Sequence, residues 1–132
     1  MGRIFGIIKI DGRECHTLFD SGVRNSYIAE DAAKGLATTR LPVPRASAIG
    51  GMVRHAAGTC SFVGSLQGKQ IEVDAYVLED IGRDEHGHTI DILFGALAMQ
   101  KWGIRLVPEE ERLDLTHFSA EFIEYLEECR IG

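Results

Sequence analysis

Thr17-Leu18-Phe19-Asp20-Ser21-Gly22 is the stretch on which the reading of this chain turns: apolar strand-forming residues run into a carboxylate, and a hydroxyl and a glycine follow. A carboxylate at the end of a strand that reads as buried is costly to desolvate unless donors or a shared proton compensate it, which marks Asp20 as a residue with a task. The same tripeptide also fits an ordinary Asx or type I turn, so its meaning depends on its surroundings.

Upstream, strand-like segments at 3–10 and 14–19 flank Asp11-Gly12, the pattern of a tight hairpin. Downstream, Asn25-Ser26-Tyr27-Ile28 leads into 29–34, read as a short helix. Ala46-Ser47-Ala48-Ile49-Gly50-Gly51-Met52-Val53 then sets two extended arms around paired glycines. Much later, Asp91-Ile92-Leu93-Phe94-Gly95-Ala96-Leu97 carries a second apolar strand into a glycine. A short helical stretch through Met99 and Trp102 and the strand-like Ile104-Arg105-Leu106-Val107 come next.

In the identity and order of these parts the chain resembles the retropepsin-like aspartic proteases, over residues 4–115. The resemblance implies an all-β fold, a closed retropepsin-like acid protease barrel with one short internal helix. It also implies an aspartic endopeptidase with Asp20 as the catalytic acid. Ser21 and Gly22 would support the catalytic loop, Ser21 by bonding across a subunit axis and Gly22 by letting the backbone approach closely. Leu93, Phe94 and Gly95 would pass beneath that loop and hold it. Val23, Arg24 and the flap residues Ile49, Gly50, Gly51 and Met52 would contact a bound polypeptide.

Hydrolysis without a metal or a covalent intermediate needs both a base for water and an acid for the reacting amide, and two close carboxylates can supply both. About 3 Å apart they cannot both ionise, so one keeps its proton, as in the well-known aspartic dyads. This chain has one Asp-Ser-Gly, and the matching place in its second half is Phe94-Gly95. Asp91 begins its strand too early to be a partner. The resemblance therefore implies a homodimer with one Asp20 from each subunit on the twofold axis. Where the family commonly has a small residue after the glycine, Val23-Arg24 stands here; Val23 would narrow the pocket, and Arg24 would put a cation near Asp20 that opposes a shared proton. The alternative is a non-catalytic polypeptide-binding or dimerisation module of the same fold.

Composition sets the outer bounds. A chain of 132 residues reads as one domain, with 1–115 as the protease-like unit and 116–132 as a C-terminal amphipathic helix. Phe118, Phe122, Ile123 and Leu126 recur at helical spacing over 117–131, with Thr116 or Ser119 as the cap. A net charge of −6 with scattered arginines argues against a nucleic-acid partner. No apolar run is long enough to span a bilayer and the first residues lead into a strand, so the expectation is a soluble, cytoplasmic protein without a membrane partner. The unpatterned Cys15, Cys60 and Cys129 read as reduced core thiols. Cys15-His16 cannot share a proton, because neighbours on a strand point to opposite faces. The segment Asp84-Glu85-His86-Gly87-His88 has metal-ligand chemistry, as do His16 and His55, but reads as a solvated loop. No cofactor and no metal are expected.

Leu41-Pro42-Val43-Pro44 lacks two ladder donors and must be an edge strand or a connection. The segment 69–78 alternates, yet its second face is too apolar for solvent, which implies a strand covered on both sides.

Overall fold

The computed structural model describes residues 2–121. Nine strands, one α-helix and one 3-10 turn make up that stretch: β1 Arg3–Ile10, β2 Arg13–Asp20, β3 Tyr27–Ala29, β4 Thr38–Ile49, β5 Met52–Leu66, β6 Lys69–Leu78, β7 Ile92–Phe94, α1 Ala96–Trp102, β8 Arg105–Val107, the 3-10 turn Pro108–Glu110, and β9 Arg112–Asp114. Seven strands form one sheet in the order β1-β2-β7-β3-β6-β5-β4, and a further β1–β5 pairing joins Lys9 to Ser65. The mostly β reading therefore holds, with one short internal helix.

The chain dictates the hairpins directly. Asp11 and Gly12 both take positive φ, 50° and 81°, which matches the right-handed twist of two strands joined by two residues. Gly50 and Gly51 repeat the device at 58° and 80°. Along β1 the buried residues are Ile4, Ile8 and Ile10, and along β6 they include Ile71, Val73 and Ala75, the alternation expected of a pleated face. These residues join Phe19, Ile28, Phe62, Phe94 and Trp102 in the main core. A second cluster packs Leu18, Tyr27, Ala29, Leu78, Ile81, Ile90 and Leu93. Leu78 and Tyr76 face that cluster while Val73 and Ala75 face the first, so the far end of β6 is covered on both sides.

One local expectation changes. The short helix at 29–34 is a run of turns instead: Ala33 N bonds both Ala29 O and Glu30 O, and Lys34 N bonds Asp31 O. Gly35, at φ 85°, closes it before a helix can propagate. Gly58 lies inside β5, where a Cβ would stand 2.9 Å from Thr39 O, so that only glycine lets β4 come that close. The segment 41–44 lies, as its prolines require, on an edge strand: β4 starts at Thr38, and its register shifts between Arg40 and Arg45, where Pro42 and Pro44 interrupt the ladder. Of the helix expected at 117–131, residues 117–121 are not helical, and the rest lies outside the described residues.

Helix α1 buries Met99 and Trp102 on one side and stops at Gly103, φ 68°, whose amide reaches Met99 O and Gln100 O. The loop between β6 and β7 is organised by Asp84. Its Oδ1 accepts from His86 N (2.8 Å) and His88 N (2.9 Å), while its Oδ2 lies 2.9 Å from His16 Nε2 and 3.2 Å from His88 Nδ1. Burial disfavours the charged form of Asp84, but these donors outweigh it and hold the carboxyl down at about 2. Because the folded value lies below the unfolded one, Asp84 stabilises the fold above about pH 4 and loses that contribution as pH falls toward 2. Asp84→Asn should therefore flatten the acid limb of stability in that window, read as the urea midpoint against pH. An undiminished acid limb would count against this account.

Candidate active site

The hairpin turn fixes more than topology. With Ile10 opposite Arg13, the β1–β2 register runs back to Arg3 opposite Asp20. Arg3 Nε lies 3.5 Å from Asp20 Oδ2, with the Asp20 side chain 16% exposed and that of Arg3 65% exposed. A pair so open to water is worth about 0–1 kcal/mol, so its interest is chemical rather than structural. The other carboxylate oxygen, Oδ1, accepts from Gly22 N at 2.8 Å, and Val23 N bonds Asp20 O at 3.2 Å. Ser21 Oγ accepts from Gly2 N at 2.8 Å, and Ser21 N donates to Gly2 O at 3.0 Å. Within one chain, then, the Ser21 hydroxyl ties the loop to the start of β1.

Strand β7 lies between β2 and β3. It runs parallel to β2, pairing Thr17–Ile92, Leu18–Leu93 and Phe19–Phe94, and antiparallel to β3, pairing Tyr27–Leu93 and Ile28–Ile92. All three residues of β7 are buried, and the Phe19 and Phe94 rings sit 5.0 Å apart. Gly95 follows at the point where the backbone after Asp20 crosses: Ala96 N bonds Val23 O at 2.6 Å and Leu97 N bonds Arg24 O at 3.1 Å. A Cβ on Gly95 would fall on the Asn25 carbonyl and within 2.8 Å of Arg24 O. Gly95 N donates to buried Ser26 Oγ at 3.0 Å. Ser26→Ala strands that amide and should cost about 1–3 kcal/mol, measured by urea unfolding; a neutral result would mean the amide has another acceptor.

Asp91 sits at the opposite end of β7. Its Oδ2 accepts from His16 N at 2.8 Å and its Oδ1 lies 3.8 Å from Arg13. His16 precedes Asp20 on β2 by four residues, about 13 Å at strand rise, so Asp91 is no partner for Asp20.

Ile49, Gly50, Gly51 and Met52 form the tip of the β4–β5 hairpin, with Ile49 opposite Met52. Ile49 and Val23 both pack on the second apolar cluster, which gives the hairpin tip and the loop after Asp20 a common floor. Met52 is exposed, as is Arg24. Among the described residues the cation paired with Asp20 is Arg3, and Arg24 makes no ion pair with it. Sequence reasoning passed over Arg3, although counting back from the Asp11-Gly12 turn finds it.

The other candidate chemistries come apart. Cys15 is buried while His16 is half-exposed on the other face; burial pushes the Cys15 thiol up, the charge of Asp91 adds to this, and Arg13 opposes it. Among the described residues no group of three or more His, Cys, Asp or Glu side chains is placed to hold a metal ion, and His16 and His88 turn ring nitrogens to Asp84. No helix among the described residues is long and apolar enough to cross a membrane.

Solved structures share this architecture. The retroviral protease-like domain of Ddi1 from Leishmania major superposes with a TM-score of 0.64 at 17% identity, covering 89% of this chain and 91% of that one. EIAV protease, in complex with the inhibitor HBY-793, gives a TM-score of 0.58 at 16% identity, covering 80% of this chain and 92% of that one. No family model and no curated protein sequence matches the chain. At these identities the likeness establishes a retropepsin-like fold.

Proposed function

On a retropepsin-like fold, we propose that this chain is an aspartic endopeptidase, acting as a homodimer in which the Asp20 carboxylates of two subunits activate one water. The observation that carries the reading is the setting of Asp20: at the end of a buried strand, with Oδ1 on the Gly22 amide, above the Leu93-Phe94-Gly95 support and sharing an apolar floor with the flap residue Ile49. In this reading the sheet acts as a barrel closed through the Lys9–Ser65 pairing, and the site lies on the subunit axis.

The chemistry follows from charge. Two carboxylates at hydrogen-bond distance hold one proton between them; the ionised one takes a proton from water as it attacks the amide carbonyl, and the protonated one donates to the carbonyl oxygen. The Gly22 amide keeps one oxygen of each acid oriented. Val23, Arg24, Ile49, Gly50, Gly51 and Met52 line the path of an extended polypeptide, with the hairpin tip excluding water. Ser21 reaches across the axis once the second subunit docks. Buried, unpaired Cys15 and Cys60 suit a reducing, cytoplasmic setting.

One observation favours the non-catalytic reading: the Arg3 guanidinium lies 3.5 Å from Asp20 Oδ2 and occupies the side of the carboxylate that a water or a second acid would approach. The two readings separate on incubating the protein with an unstructured polypeptide. Pepstatin-sensitive cleavage by a species of twice the chain mass supports the peptidase, and retention of the uncut polypeptide supports the binding module.

A further inference from the structure

Arg54 Nε, in the flap strand β5, is a buried side-chain donor without a hydrogen-bond partner among the described residues. Such orphans are rare enough to need a cause. The same guanidinium donates from Nη1 to the main-chain carbonyl of Asp80, 2.7 Å away across the gap between the flap and the loop after β6. The Asp80 carboxylate accepts from Gly82 N at 3.2 Å, within its own loop. Arg54 therefore makes one charge-assisted bond and strands one donor.

Position 54 pairs with Ser47 on β4, and there Tyr27 Oη donates to Ser47 Oγ at 2.9 Å. At one register pair, each flap strand has a polar link to the body: β4 to buried Tyr27 of β3, and β5 to the carbonyl of Asp80. Beyond that pair lie residues 48–53, of which Met52 and Val53 are well exposed. The Asp80 end is a firm anchor, since its loop is fixed through Asp84 to His16 on β2 and Ile81 is buried in the second cluster.

We propose that Arg54 and the Asp80 carbonyl form a latch that sets the closure of the flap over Asp20, with Arg54 a positioning residue for bound polypeptide; the polypeptide part rests on the peptidase reading. Closing makes a charge-assisted bond but leaves Nε dry. Opening loses the bond but returns Nε to water. The two effects offset, so the latch biases the flap closed while leaving it able to admit a chain.

Amide hydrogen exchange on the full chain tests the latch without any activity. Arg54→Ala should speed exchange at 46–49 and 52–55 by about tenfold with β6 amides unchanged, whereas Arg54→Lys, which keeps a charged donor for Asp80, should stay within about twofold of wild type. Arg54→Gln, which keeps bulk without the charge, should give a rise of about threefold and serves if the alanine variant does not fold. On a cleaved polypeptide, Arg54→Ala should raise KM by about three- to tenfold with kcat within about twofold. Unchanged flap exchange in the Ala or Gln variant overturns the latch, as does a rise shared equally by β6. Faster flap exchange in a protein whose wild type cleaves nothing would leave the latch standing and remove the peptidase reading.

Discussion

On the peptidase reading, Asp20→Asn should lower polypeptide cleavage by at least about a thousandfold while leaving the fold in place. The magnitude follows from what is lost: the carboxylate that accepts a proton from water and the acid that returns one, each step worth about 10²- to 10⁴-fold. Structure is spared because the asparagine carbonyl can still accept from Gly22 N at the same place, and the mostly exposed Arg3 contact contributes little. Initial rates for the two proteins, with urea midpoints alongside, decide it. Equal rates would take Asp20 out of the chemistry. An equal loss of rate and of stability would make Asp20 a structural residue instead.

Gly95→Ala should be strongly damaging, costing about 3 kcal/mol or more. The added methyl has backbone on every near side: the Asn25 carbonyl, its carbon, and Arg24 O at 2.8 Å. Overpacking a core usually costs about 1–3 kcal/mol, because side chains can turn aside. Here the three nearest atoms are all backbone, and relief requires separating β7 from the segment that follows Asp20. That segment is held by Ala96 N on Val23 O and Leu97 N on Arg24 O, so a shift at Gly95 is passed to Asp20. Loss of activity should therefore exceed loss of folded protein. Urea unfolding with activity measured at matched folded fractions checks both halves, and a cost under about 1 kcal/mol would mean the crossing is looser than described.

Much of this fold was legible because its turns are written in glycine. Asp11-Gly12 and Gly50-Gly51 take positive φ, as a two-residue hairpin loop demands, and the strands on either side follow from alternation. Strands β3 and β9, of three residues each, are too short for a period to show, and β3 earns its place only by lying beside β6 and β7. The segment 29–34 misled because Ala29, Ala32 and Ala33 read as helix formers, whereas Gly35 and the demand to bury two of those alanines in the main core set a tighter turn.

Legibility of the site was uneven for a different reason. Asp20, Ser21, Gly22 and Gly95 announce themselves by type and neighbourhood. Arg3, Ser26 and Arg54 do not, because each matters through a partner far away in sequence: Asp20, Gly95 N and Asp80 O. Pairings of that kind come from register, and register could be counted from sequence only for Arg3, where one tight turn fixes it. The emphasis on Arg24 as the nearby cation followed adjacency along the chain; strand pairing brings Arg3 there instead.

Mixing wild-type chains with Asp20→Asn chains, allowing subunits to exchange, and following cleavage against the wild-type fraction tests the shared site most directly. If each active centre needs one Asp20 from each of two subunits, activity falls as the square of that fraction, to about one quarter in an equal mixture. A linear fall, to about one half, would mean that single chains act alone and would contradict the account.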